Sequence, residues 1–298
     1  MTGDPARPLK EFRPRHAYFV GIDSDGCAFD TMEIKHKECF IPNTIKYWGL
    51  QAVSKYARET AEFVNLYSEW RGENRFPALV RTFNLLRDRP EVRRRRVEVP
   101  VVPSLEGFIH SGLPLGNPSL RHEVERTGDP VLRRALDWSE AGNRAVADMV
   151  KGVPPFPLVR ETLQTLADQA DVIVVSATPG EALRREWEEH DLARYAAVIA
   201  GQEMGKKAEH LRYAAAGRYE ENHVLMVGDA LGDFRAAREN GALFYPINPG
   251  KEDESWERFY REALPRFLAG AYAGSYAEQR LAEFRTFLPS VPPWQGSA

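Results

Sequence analysis

Apolar and polar positions along the chain fall into two regimes. Five short runs are almost continuously apolar and end in turn residues: AYFVGI (17–22), DVIVVSA (171–177), AAVIAG (196–201), HVLMVGD (223–229) and ALFYPI (242–247). They are rich in β-branched and aromatic residues and short, so they predict strands covered on both faces. Helical spacing of apolar residues marks 158–169, 180–195, 207–219 and 233–241, the last closed by Gly241. Strand and helix alternate in this part. That predicts an α/β fold, a Rossmann-like parallel sheet with helices on both faces.

The second regime runs from 31 to 151. Helical patterns fill 54–70, 76–88, 119–127, 130–138 and 143–150, and RVEVPVV (96–102) is the one strand candidate. The expected organisation is therefore a mostly α-helical cap domain, 31–151, inserted into a discontinuous α/β core, 1–30 and 152–298. KGVPPFPLV (151–159), rich in proline and glycine, suits a hinge back into the core. After 250, two amphipathic helices follow. Their aromatics are expected to cover the core, with a homo-oligomer contact as the alternative.

Composition narrows the field. With 298 residues, 43% of them hydrophobic, the chain has material for one large domain or two smaller ones. A net charge of −3 gives no reason to expect a nucleic acid or a membrane surface as partner. RRRR (93–96) is dense but short and isolated. It reads as a solvated face, or as a basic rim for an anionic substrate. Cys27 and Cys39 make neither a metal spacing nor a disulfide framework. The first residues lack the apolar core of a signal peptide, and no run nears the roughly 18 apolar residues of a membrane span. A cytoplasmic location is expected.

The chemistry lies at the strand ends, where open α/β sheets bind ligands. The first run ends in Asp23 and Asp25, the second in Ser176, and the fourth in Asp229 with Asp233 four residues on; Lys206 and Lys207 follow the third. Two carboxylates just after a buried strand repel each other, and a cation between them is the usual remedy. Asp23 can attack phosphorus and carry it as an aspartyl-phosphate. Asp25 can protonate the leaving oxygen and then deprotonate water. A hard cation such as Mg²⁺ removes the repulsion between carboxylate and phosphate, with Asp23 and Asp229 as side-chain ligands and Asp25 and Asp233 beside them. Ser176 and the backbone N–H groups around Gly26 and Ala177 can hold phosphoryl oxygens. Lys206 or Lys207 can neutralise the transferred group. A small phosphorylated substrate is the implied partner.

DSDGCAFDT, VVSATP, GKKAEHL and VGDALGD resemble, in order, the four motifs of the haloacid dehalogenase superfamily. Asp23, Asp25 and Gly26 match the first motif, with Cys27 a mild departure. Ser176 matches the second, and Asp229 and Asp233 the fourth. For the third motif, the Gly-Lys string favours Lys206 and the distance to Leu211 favours Lys207; both stand. A shuffled chain would contain roughly 0.05 D-x-D-G strings, so that motif is informative. The resemblance implies a phosphatase or phosphomutase, because Asp25 is absent from the family's dehalogenases and replaced in its phosphonatases. It also implies that 31–151 is a C1-type cap. The expected function is Mg²⁺-dependent phosphohydrolysis. A phosphomutase, a phosphonate hydrolase using one of Lys35, Lys37, Lys46 and Lys55, and a retired binding module are the alternatives.

Overall fold

All five apolar runs form strands in the computed structural model, which describes residues 3–296: β1 (Tyr18–Ile22), β2 (Ala170–Val175), β3 (Val198–Ala200), β4 (Val224–Gly228) and β5 (Leu243–Pro246). They make one parallel sheet in the order β3-β2-β1-β4-β5. Successive residues point to opposite faces, and both faces are dry. Val20, Ile22, Val172, Val174, Leu225 and Val227 pack with Trp187, Trp256 and Phe259 on one side. Phe19, Ile173, Val175 and Met226 pack with Leu211, Phe244 and Phe284 on the other. This double burial is why the strands read as continuous apolar runs rather than alternating ones. The C-terminal aromatics Trp256, Phe259, Phe267, Tyr272 and Phe284 are all buried in this unit.

One polar residue inside the sheet needs an account. Asp171 is buried, and its carboxylate accepts from the amides of Arg15 (2.9 Å) and His16 (3.1 Å) and from the Tyr219 hydroxyl (2.8 Å). Buried charge is tolerated when so satisfied. Here it ties the N-terminal segment to the start of β2.

The chain divides into two units. One takes the residues up to Met32 together with Gly152–Leu288; the other takes Glu33–Lys151 and the segment after Leu288. The second unit is helical around its own core of Trp48, Phe76, Phe83, Leu86 and Trp138. Its longest helix, Pro130–Met149, joins two stretches that the pattern separates, because Ala141 and Gly142 continue the buried face. Asp129 caps it, accepting from the amides of Val131 and Leu132.

Three expectations are corrected in this unit. The stretch 96–102 is no strand: Pro100 offers no amide to a ladder, and Val99 and Val102 are buried among helices while Val101 is exposed. A helical stretch from Thr31 to Tyr47, with a π turn at Lys35–Phe40, and the Pro103–Ile109 helix carry no clear apolar stripe and escape the pattern. The segment after Leu288, expected in the core, groups with the helical unit. Trp294 stands edge-on to Phe63 at 5.5 Å and beneath the Arg89 guanidinium at 4.2 Å. Among the described residues, no helix is long and apolar enough to cross a membrane.

The loops after β2 and β3 approach backbone to backbone. A Cβ on Gly201 would lie 2.5 Å from the Gly180 nitrogen and 2.8 Å from the Thr178 oxygen. Gln202 donates its amide to that same oxygen (3.1 Å). Gly201→Ala is therefore expected to lower stability by about 1–3 kcal/mol, read as a reduced urea midpoint. An unchanged midpoint would show that the loops part freely.

Candidate active site

Each candidate residue is placed by the backbone element before it. Asp23 extends β1 by one residue, its amide donating to Val227 of β4 (3.0 Å). Asp229 directly follows β4, and Asp233 sits in the first turn of the Leu231–Glu239 helix. Asp233 reaches back to accept from the amide of Ala230 (3.1 Å), an N-terminal cap that also turns its carboxylate toward β1. Gly228 permits this. A Cβ there would lie 2.5 Å from Asp233 Cβ and Cγ. One oxygen each of Asp23, Asp229 and Asp233 lies within 4.8 Å of the others, and all three residues are buried.

The cation facing them is Lys207. Its Nζ donates to Asp23 Oδ2 (2.7 Å) and Asp233 Oδ1 (2.6 Å). Lys206 stands one residue earlier, exposed, and gives its amide to Glu209 Oε2 (2.9 Å). The two-fold reading of the third motif is thus resolved geometrically. Only Lys207, the first residue of the Lys207–Ala214 helix, points into the cluster.

Electrostatics set this group apart. Burial pushes Asp23 well up from the usual carboxylate range; Lys207 pulls it down, and Asp233 and Asp229 push it up again. Asp233 is raised for the same leading reason, its burial. Burial alone would depress Lys207, but the carboxylates of Asp23, Asp233 and Asp229 outweigh it and hold its ammonium above its ordinary value. Cys27, also buried, is pushed well above the ordinary thiol range, so it offers no thiolate.

Asp25 has a different environment. It is half-buried, and both carboxylate oxygens are held by hydroxyls. Thr31 donates to Oδ1, and Thr178 donates to Oδ2 (2.6 Å). Its carboxylate is not part of the three-carboxylate group. Gly26 adopts φ 73° and turns the chain so that Ala28 and Phe29 donate to the Ser24 carbonyl (2.9 and 3.0 Å). The Gly26 amide itself donates to Phe29 (2.8 Å). That amide is therefore occupied within the turn. Ser24 is fully buried, donating to Glu186 Oε2 (3.0 Å) and accepting from Trp187 Nε1 (2.9 Å). Ser176 directly follows β2, and its hydroxyl oxygen accepts from the Thr178 amide (3.2 Å), leaving its proton to donate. Ala177 lies exposed in the loop that follows.

Thr31, Thr178, Glu186 and Trp187 go unnamed by pattern reading. Thr31 and Thr178 lie inside the FDT and SATP strings, but only the fold reveals that they share one carboxylate.

Three carboxylates and no imidazole or thiol make a donor set for a hard, oxygen-liganded cation. One ammonium against three buried carboxylates leaves negative charge uncompensated, and a cation there fits the residues present.

No protein-family model and no curated protein matches the chain. Solved structures do. A phosphonoacetaldehyde hydrolase-like protein from Oleispira antarctica superposes with a TM-score of 0.50 at 12% identity, covering 92% of this chain and 87% of that one. A haloacid dehalogenase-like family hydrolase from Xanthomonas campestris gives 0.43 at 13% identity, covering 87% and 96%. One from Streptococcus pneumoniae gives 0.42 at 14%, covering 82% and 91%. At these identities the likeness concerns the fold alone, which is α/β and Rossmann-like.

Two outcomes test the cluster. Lys207→Met strands the carboxylates and is expected to cost about 3–5 kcal/mol at neutral pH, whereas Lys206→Ala stays within about 0.5 kcal/mol. Equal costs would contradict the assignment. Asp23 and Asp233 hold protons to higher pH folded than unfolded, so their contribution is complete below the ordinary carboxylate range and falls as pH rises through the raised values. Metal-free Asp23→Asn should therefore gain stability relative to wild type as pH rises above the ordinary carboxylate range. A difference constant with pH would show that Asp23 titrates normally.

Proposed function

We propose that this haloacid dehalogenase-type chain is a Mg²⁺-dependent phosphohydrolase, acting on a small phosphorylated metabolite through an aspartyl-phosphate on Asp23. The observation that carries the reading is the pairing of two unlike carboxylates two residues apart. Asp23 is gripped by Lys207 within a buried acidic cluster. Asp25 is held outside that cluster by two hydroxyls. This difference supports Asp23 as nucleophile and Asp25 as proton carrier.

The reaction balances on these groups. An oxygen of Asp23 attacks phosphorus, the bond from phosphorus to the ester oxygen breaks, and the electron pair goes to that oxygen. The Asp25 carboxyl supplies its proton, and the alcohol leaves. Water then gives a proton to the Asp25 carboxylate while its oxygen attacks the same phosphorus. The bond to Asp23 breaks, which frees phosphate and restores both carboxyl groups. Thr31 and Thr178 fix the Asp25 carboxyl through both steps, and the hydroxyls leave its proton mobile. Lys207 neutralises charge on Asp23 and the transferred group. Ser176 has a hydroxyl proton to donate to a phosphoryl oxygen. Asp23, Asp229 and Asp233 would hold a bound Mg²⁺, which supplies screening of the repulsion between carboxylate and phosphate.

A phosphomutase would use the same groups and differ in what takes the phosphoryl group from Asp23. Phosphonate hydrolysis through a Schiff base needs an unprotonated lysine. Lys37 is set the other way: although burial alone would lower it, its contacts with Glu33 and the Tyr67 hydroxyl raise it above the ordinary lysine value.

The test is phosphate release from sugar phosphates, nucleotides, phospho-acids and phosphonates, with Mg²⁺ and with EDTA. Release is expected with Mg²⁺ only, to fall to background in Asp23→Asn, and to drop about 10²–10⁴-fold in Asp25→Asn. Full activity in Asp25→Asn, or release that persists in EDTA, would contradict the mechanism.

A further inference from the structure

The helical unit holds a guanidinium for which the protein provides no counter-charge. Arg75 begins the Arg75–Asp88 helix, half-buried. Its Nη1 donates to the Ser139 carbonyl (3.3 Å), the Ser139 hydroxyl (3.1 Å) and Asn143 Oδ1 (2.6 Å). Its guanidinium carbon lies 4.6 Å from the centre of the Phe40 ring. Among the described residues, nothing accepts from Nε or Nη2, and no carboxylate pairs with it. Arg81 and Arg89 of this unit do meet carboxylates, Glu73 (3.3 Å) and Glu59 (2.7 Å), whereas half-buried Arg87 is held by Asn84 Oδ1 and the Pro100 carbonyl.

Arg75 also lines an internal cavity of about 20 Å³. His36, Thr44, Asn65, Thr82 and Trp138 share its wall, and no acidic residue does. By this measure the space takes about one water-sized group. His36, Phe40, Asn65 and Arg75 are half-exposed, which marks the side where it opens. Burial without a compensating anion pushes the arginine down to about 10. A buried cation ordinarily has a partner.

We infer that this cavity is a binding site for a carboxylate group. The Nε–Nη2 edge of a guanidinium presents two parallel N–H donors, and a planar carboxylate is the compact anion that takes both. The Phe40 face and the Gly142 helix fix the plane of the fork. A Cβ on Gly142 would lie 2.5 Å from the Phe40 ring, so the ring has no room to swing toward that helix. One carboxylate oxygen takes the water-sized space, and the rest of the ligand lies at the open side. That carboxylate belongs either to a free small acid or to an acid that also carries a phosphoryl group; the chemistry at Arg75 is the same for both.

The experiment is thermal melting of the full-length protein at constant ionic strength, with formate, acetate and lactate as probes and chloride as the spherical control. Carboxylates are expected to raise the melting temperature saturably by a few degrees, with chloride giving less. Arg75→Gln should abolish the shift. Should that variant fail to melt cooperatively, Asn65→Leu is used, which keeps Arg75 and its three hydrogen bonds but fills the wall; it too should lose the shift. No carboxylate-specific shift in wild type, or an undiminished one in either variant, overturns the site. A phosphorylated two-carbon acid, added to the Asp23→Asn protein, distinguishes the sources. A larger shift than its unphosphorylated parent gives, lost in Arg75→Gln, assigns the carboxylate to a phosphorylated ligand, and an equal shift assigns it to a free acid. The readout needs no turnover, so a negative result leaves the phosphohydrolase reading standing.

Discussion

Three carboxylates buried at the ends of two adjacent strands, with one ammonium among them, are the constraint around which the α/β unit is built. Desolvating each charge costs several kcal/mol. The approach of Asp23, Asp229 and Asp233 to within 4.8 Å adds repulsion. The rest of the local structure keeps them there. Gly228 removes the Cβ that would block Asp233. The helix cap at Ala230 orients it. The buried Ser24, wedged between Glu186 and Trp187, stops the Asp23 loop from relaxing outward. A fold that maintains this arrangement against its cost has stored attraction for a cation in advance.

Asp25 shows how two identical side chains, separated by one residue, are given different work. The strand ends before them and the turn at Gly26 takes Asp25 out of the β1 direction, and their surroundings do the rest. Asp23 faces charges and Asp25 faces hydroxyls. Hydroxyls can donate or accept, so they orient a carboxyl in either protonation state, as a group that gives and later retrieves a proton requires.

Much of this was legible in the chain. The five strands followed from double-sided burial, because a continuous apolar run is what such a strand must be, and their parallel pairing followed from the helices that alternate with them; their order in the sheet did not. Asp23, Asp229 and Asp233 were legible because each follows a strand end or opens a helix, where backbone position alone fixes the side chain. What stayed hidden was long-range and specific. Whether Lys206 or Lys207 enters the cluster depends on where the helix begins, a boundary of a single residue. The hydroxyl of Thr178 on Asp25 joins residues 153 apart in sequence. The amide of Gly26 looked available until the turn that uses it was known. In the helical unit, burial is shared among helices whose stripes are interrupted by polar caps and π turns, so 31–47 and 103–109 carried no readable period. Arg75 was one arginine among many until the lack of a carboxylate around it could be seen.

The central claim is that Asp23 itself receives the phosphoryl group. It is tested most directly by rapid acid quench during turnover of a phosphate ester, followed by mass measurement of the peptide that carries Asp23 and Asp25. The account predicts a phosphoryl adduct on Asp23 that is acid-trapped in wild type and absent from Asp23→Asn. Sustained phosphate release with no adduct on that peptide would mean that water attacks the ester directly, and the account of Asp23 as nucleophile would fall.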